Sequence, residues 1–89
     1  MKTEYLPSFI KDLKKLRKTS TYSEIKNLAF QTISDCQNIT EIKSLKKIKG
    51  HQNAYRIRVG DYRIGVFIQK ETVIFSRVLH RRDVYRYFP

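Results

Sequence analysis

The run His80-Arg81-Arg82-Asp83-Val84-Tyr85 and the arginines Arg56, Arg58 and Arg63 are the residues whose types and spacing can do chemistry. A guanidinium offers a planar fork of donors that fits phosphate oxygens, and it stays charged throughout the physiological range. An imidazole such as His80 carries protons near neutrality. These side chains are far apart in sequence, so the elements that hold them decide whether they meet.

From Ala54 the apolar pattern has a period of two, the mark of a strand. Tyr55-Arg56-Ile57-Arg58-Val59 alternates, Gly60-Asp61 supplies a two-residue loop with glycine first, and Tyr62 to Gln69 is the return strand. A glycine in that position suits a type II′ hairpin turn. With Gly60-Asp61 as the loop, Val59 faces Tyr62, Arg58 faces Arg63, Ile57 faces Ile64 and Arg56 faces Gly65. Directly opposed residues share a face. Tyr55, Ile57, Val59, Tyr62, Ile64 and Val66 then form an apolar face, while Arg56, Arg58 and Arg63 converge on the other. Gly65 is expected to leave an open floor beside Arg56. Phe67 shares the arginine face and either stacks on a ligand base or fills a core. Like charges set opposite one another destabilise a hairpin, so their presence points to an anion held between them. The competing reading is a merely solvated sheet face.

A further strand runs from Thr72 to about Leu79. A two-residue turn at Lys70-Glu71 puts Arg77 on the apolar side and a three-residue turn puts it among the arginines, so the sequence leaves its face open. Upstream, Pro7-Ser8 opens a helix to about Arg17, with Phe9, Leu13 and Leu16 in one stripe and Ile10 beside them. Thr21 and Glu24 have the spacing of a capping box. Behind them Ile25, Leu28, Ala29, Ile33 and Cys36 keep helical spacing to about Gln37. Two such stripes joined by a short turn predict an α-hairpin packed on the sheet. With a short strand before Pro7 the expected fold is α+β, in the order βααβββ, with a mainly antiparallel sheet. Residues 1–89 are expected to form one domain.

The net charge is +11 in 89 residues. It predicts attraction to nucleic acid or to an acidic protein, with strong salt dependence. Ten lysines and one arginine lie before Gly50, against seven arginines and one lysine after it. The first part therefore reads as a scaffold and the second as the working surface. One cysteine, Cys36, fits a reducing cytosol and a small buried apolar role. Nothing suggests a membrane span or a secretory signal, so a cytoplasmic protein is expected. Two separated histidines and one cysteine make no metal site, and no glycine-rich phosphate loop is present, so no metal and no cofactor are expected. His51 reads as a surface residue.

The segments Tyr55 to Arg63 and Val78-Leu79-His80-Arg81-Arg82-Asp83-Val84-Tyr85-Arg86 resemble the signature of the RelE/ParE toxin superfamily. Phe9-Ile10-Lys11-Asp12-Leu13-Lys14-Lys15-Leu16 is similar to that family's first helix. The resemblance spans nearly the whole chain. It implies a RelE-like fold and the toxin of a type II toxin–antitoxin system, which cuts mRNA in the ribosomal A site. It also implies a cognate antitoxin, acidic by charge complementarity, and contact with operator DNA through the toxin–antitoxin complex. By position it assigns the site to Arg56, Arg58, Arg63, Arg81 and Tyr85. Active members carry lysines where Arg56 and Arg58 stand, and the further C-terminal helix of some members is not expected here.

The implied reaction is attack of an RNA 2′-hydroxyl on the neighbouring phosphate. Arg56, Arg58, Arg63 and Arg81 supply charge. The proton carrier is left between Tyr85, which follows the family, and His80, which has the better intrinsic pKa. Tyr85 can also stack on a base. The rival within the superfamily is ParE-like inhibition of DNA gyrase without nuclease activity. A second rival is a non-catalytic nucleic-acid-binding module.

Overall fold

The period-two residues from Ala54 onward form three antiparallel strands, and the two helical stripes pack on one side of them. The computed structural model describes residues Met1–Pro89. In chain order the elements are β1 (Lys2–Tyr5), α1 (Pro7–Lys15), α2 (Tyr22–Asn27), a π-turn segment (Leu28–Thr32) and α3 (Ile33–Asp35). After a 3-10 turn (Ile39–Glu41) come β2 (Leu45–Lys47), β3 (Ala54–Val59), β4 (Tyr62–Gln69), β5 (Thr72–His80) and α4 (Val84–Tyr87). The sheet order is β1-β5-β4-β3-β2, with β1 parallel to β5 and every other pair antiparallel. This is the expected α+β architecture with two additions, the short strand β2 and the C-terminal helical turn α4.

Phe9 and Leu13 of α1, with Ile25, Ala29 and Ile33 of the second helical stretch, bury against Ile57, Ile64, Val66, Val73, Phe75 and Val78 of the sheet. Tyr5 bridges the layers. Its ring stacks on Phe75 at 5.1 Å and on Phe30 at 4.6 Å, and its hydroxyl donates to the Ala29 carbonyl at 2.7 Å. That carbonyl lies in the π-turn segment, where the wider helical turn weakens the regular hydrogen-bond ladder. Cys36 is buried in the same core, and burial first, then the nearby Glu41 carboxylate, pushes its thiol pKa up.

Two local expectations are corrected. The capping box does not form, because Thr21 is already in helical conformation at the N-cap and its side chain caps nothing. Instead Thr21 lies against the Gly60 turn, 3.6 Å from where a Cβ on that glycine would stand. The second helix is also broken by the π segment, which periodicity alone does not reveal.

The helix α1 continues where β1 stops. Beyond Phe75, β5 has no strand on its outer side, and α1 supplies side chains in its place. Ser8 donates to the Ser76 carbonyl at 2.7 Å, and Asp12 accepts from the Val78 N–H at 3.1 Å. Ser8 and Asp12 are four residues apart and so share a helix face. They satisfy an edge that would otherwise be left open.

Candidate nucleic-acid interface

The hairpin register is the one read from sequence: Val59 opposes Tyr62, Arg58 opposes Arg63, Ile57 opposes Ile64 and Arg56 opposes Gly65. Gly60 has φ +59° while Asp61 does not share a positive φ, as a type II′ turn requires. Arg56, Arg58 and Arg63 therefore share the face turned away from the helices.

The hairpin turn also gathers the C-terminal segment. The Arg81 N–H donates to the Asp61 carbonyl at 2.8 Å, which holds the end of β5 beside the loop. Arg63 folds back on the same turn, its Nη1 donating to the Gly60 and Tyr62 carbonyls at 3.0 Å each. Burial is the first cause lowering the Arg63 pKa from its usual value. Repulsion from Arg56 and Arg58 follows, with Tyr85 acting in the opposite sense and Arg81 adding to the repulsion. Three guanidinium groups and one phenol thus lie close enough to act on Arg63. The one ion pair in the chain joins Arg77 to Asp12, so none of these four arginines has a carboxylate partner.

Gly65 is not an open floor. Phe88 occupies it: a Cβ at position 65 would come within 2.6 Å of the Phe88 ring. Val84 opens α4 and Phe88 follows its last residue, and the two bury with Ala54, Ile48, Phe67 and Leu79 in a second small core on the arginine side of the sheet. Phe67, 5.1 Å from the Phe88 ring, belongs to that core and is not free to stack on a base. Tyr85 lies on the flank of this seat, 59% exposed, and lines one cleft with Arg56, Lys46 and Lys49.

His80 does not join the cluster. It opposes Tyr62 across the sheet and so faces the helix side. Its ring meets Tyr62 edge-on at 5.6 Å, and Nδ1 accepts from the Arg82 backbone N–H at 3.2 Å. It lines a separate cleft with Lys15, Asp83 and Tyr87. The expectation that His80 shares a site with Arg56 and Arg63 is corrected by this register.

The open question of Arg77 has an answer that neither turn length gives. Lys70-Glu71 is a two-residue turn, with Gln69 opposite Thr72 and Lys70 at φ +56°. A bulge then shifts the pairing, so that Val66 opposes Phe75 but Gly65 opposes Arg77, with Ser76 as the extra residue. A bulge reverses the alternation beyond it. Arg77 thereby enters the row of Arg56 and Gly65, yet its guanidinium turns over the sheet edge to Asp12, at 2.6 Å from Nε and 3.1 Å from Nη2. The Asp12 hydrogen bond is the first cause holding the Arg77 pKa above its usual value, with burial opposing it.

The contribution of β2 was missed by sequence reasoning. Lys46 stands directly opposite Arg56, and Lys47 and Lys49 line the cleft that Tyr85 borders. The lysine-rich first part is therefore not only scaffold. Three residues are too few to show a period, and the signal available was Leu45 and Ile48 bracketing two lysines.

The fold and the face define the class: a small basic α+β protein with an uncompensated cationic sheet face. Residues 3–85 match the family model described as the ParE toxin of the type II toxin-antitoxin system, parDE. Toxin RelE3 of Methanocaldococcus jannaschii is 44% identical over 93 aligned residues, spanning all of both chains. Among solved structures, the RelB-RelE antitoxin-toxin complex from Methanococcus jannaschii contains a chain with TM-score 0.74 and 44% identity, the match covering 97% of this chain and 99% of that one. The toxin-antitoxin complex RelBE2 from Mycobacterium tuberculosis gives a TM-score of 0.70 at 24% identity, covering 92% of each chain. YafQ from E. coli gives 0.62 at 14% identity, covering 90% of this chain and 92% of that one. The last two show the shared fold. The chain belongs to the RelE/ParE toxins of type II toxin–antitoxin systems.

Proposed function

We propose that this toxin is an endoribonuclease that cleaves mRNA on the ribosome and is silenced by an acidic antitoxin. The observation that carries this reading is the grouping of Arg56, Arg58, Arg81 and an exposed Tyr85 about Arg63, none of the four arginines being paired to a carboxylate. Four fixed cations suit a phosphate whose charge grows during reaction, and they are preorganised by the hairpin and its turn.

In the proposed reaction the 2′-oxygen of a nucleotide attacks the adjacent phosphorus as the bond to the 5′-oxygen breaks. A 2′,3′-cyclic phosphate and a free 5′-hydroxyl result. One proton leaves the 2′-oxygen and one reaches the 5′-oxygen, which is work for a general acid–base group. Tyr85 is assigned this proton transfer, because it borders the cleft with Arg56 whereas His80 lies on the other face. Arg63 and Arg81 are assigned the non-bridging oxygens. Arg56 and Arg58 hold the strand, with Lys46 supplying a lysine opposite Arg56.

The antitoxin partner follows from the solved relative from Methanococcus jannaschii, which is a RelB-RelE complex. A segment of opposite charge laid over the +11 chain would mask the arginine face.

The rival is gyrase inhibition, favoured by the ParE description of the matching family model. Purified protein tested for mRNA cleavage on programmed ribosomes, and in parallel for inhibition of gyrase supercoiling, separates the two. Ribosome-dependent cuts with unaffected supercoiling are expected. Gyrase inhibition without cleavage would overturn the nuclease reading.

A further inference from the structure

The helix α4 is a single turn, and it presents different residues in different directions. Val84 and Phe88 point to the sheet and bury, and the Phe88 N–H donates to the Val84 carbonyl at 2.8 Å. Tyr85 and Tyr87 are two residues apart, about 200° around a helix of 3.6 residues per turn. They therefore occupy opposite flanks, Tyr85 in the cleft with Arg56 and Lys46, Tyr87 in the cleft with Arg77 and His80. The two buried side chains set how deeply the turn sits, and the Asp83 N–H, donating to the His80 carbonyl at 2.8 Å, ties its start to β5. The flank that carries Tyr87 has one further contact.

That contact is with Arg77. The Arg77 guanidinium carbon lies 5.8 Å from the centroid of the Tyr87 ring, within cation–π range. Arg77 is itself immobilised, since both Nε and Nη2 donate to Asp12. Asp12 in turn is 5% exposed and fixed to the sheet through the Val78 N–H. None of Asp12, Arg77 and Tyr87 lines the cleft that Tyr85 borders with Arg56.

The geometry points to Asp12, Arg77 and Tyr87 as positioning residues that set the roll of α4 and, through it, the place of the Tyr85 phenol against the arginines. The chain of contacts starts on α1, crosses the edge of β5 at the bulge and ends at the C-terminal turn. Because of the extra Ser76 the Arg77 side chain starts from the face on which Phe88 packs and reaches over the edge to Asp12. The inference rests on the proposed cleavage reaction for the role of Tyr85, and on the structure alone for where Tyr85 sits.

The test uses the full chain labelled with 3-fluorotyrosine and followed by fluorine NMR. The Tyr85 signal is assigned by its loss in Tyr85→Phe. Tyr87→Leu keeps bulk but removes the ring, and is expected to move the Tyr85 signal toward that of a free, exposed tyrosine while the Tyr5, Tyr22 and Tyr55 signals hold still. Tyr87→Phe keeps the ring and is expected to leave Tyr85 in place. Asp12→Asn is expected to act like Tyr87→Leu. Should it fail to fold, the Tyr87 pair still decides, because Tyr87 is 54% exposed. In the cleavage assay Tyr87→Leu is expected to lower kcat by up to about 10²-fold, the cost of a misplaced group, with KM unchanged. A Tyr85 signal unmoved by Tyr87→Leu would overturn the inference. Absence of cleavage by the wild type would overturn the nuclease reading instead, and the NMR result would still stand or fall on its own.

Discussion

Phe88 and Gly65 are complementary: the ring of one fills the space that the other leaves by having no side chain, and a Cβ on Gly65 would approach the ring to 2.6 Å. The glycine is required by this close approach and not by its φ. Gly65→Ala is expected to cost about 1–3 kcal/mol through overpacking. Phe88→Ala is expected to cost about 3 kcal/mol, at the low end for a buried phenylalanine because its cluster is small. Combining the two should cost less than their sum, since the clash vanishes with the ring. Chemical denaturation of the four chains measures the coupling. Strict additivity would show that Phe88 does not sit on Gly65.

Tyr85→Phe removes a hydroxyl from a side chain that is mostly in solvent, so stability should change by no more than about 0.5 kcal/mol. If the phenol carries the proton, kcat should fall by about 10²–10⁴-fold with little change in KM. Induced expression should then no longer arrest growth. A variant with full activity would leave Tyr85 only a stacking role.

His80 faces the helices, opposite Tyr62. The pH profile of kcat is accordingly expected to lack any limb that His80→Asn abolishes, and that variant should keep most of its activity. Loss of a limb in that variant would return the proton to His80.

The lysines of β2 and its following turn are expected to contact RNA phosphates beyond the arginine cluster. Binding of a single-stranded RNA oligonucleotide should weaken steeply with salt. Each lost contact flattens the logarithmic slope by about 0.7, so the triple variant Lys46→Gln/Lys47→Gln/Lys49→Gln should flatten it by roughly 2. The triple change Lys11→Gln/Lys14→Gln/Lys18→Gln alters net charge equally and serves as control. Equal effects would mean that only overall charge matters.

Cys36 is buried, and its thiol pKa is raised above the usual 9.0. The folded chain therefore holds this proton at a pH where the unfolded chain releases it. Stability contributed by Cys36 is present below that value and declines as pH rises through it. Alkylation by iodoacetamide should be slow in the native protein and fast in denaturant. Rapid native labelling would contradict the burial.

The hairpin was the most legible part because its evidence was redundant: Gly60-Asp61 fixed the loop, and alternation fixed which residues share a face. Arg56, Arg58 and Arg63 followed without further information. Arg77 was beyond reach because a bulge at Ser76 leaves no mark in composition, and one inserted residue reverses every side chain after it. Thr21 and Glu24 had capping spacing, but tertiary contact with the Gly60 turn took Thr21 for another purpose. Asp12 carries no signal of its own in the sequence. Its burial depends on an edge of β5 that only the assembled sheet creates. Lys46 is hidden in the lysine-rich first part for the same reason, since a three-residue strand is defined by its partner rather than by its own pattern.

The margins of the sheet bear on how such a charged molecule behaves at high concentration. Its outer strands, β1 and β2, are four and three residues long, and the exposed stretch of β5 is occupied by Ser8 and Asp12. Little continuous backbone is left to template another chain, and the margin at β2 is lysine-rich. Self-association in the absence of a polyanion should therefore be opposed twice, by shortage of free strand edge and by mutual repulsion, so a neutralising partner would need to supply charge before it could add a strand.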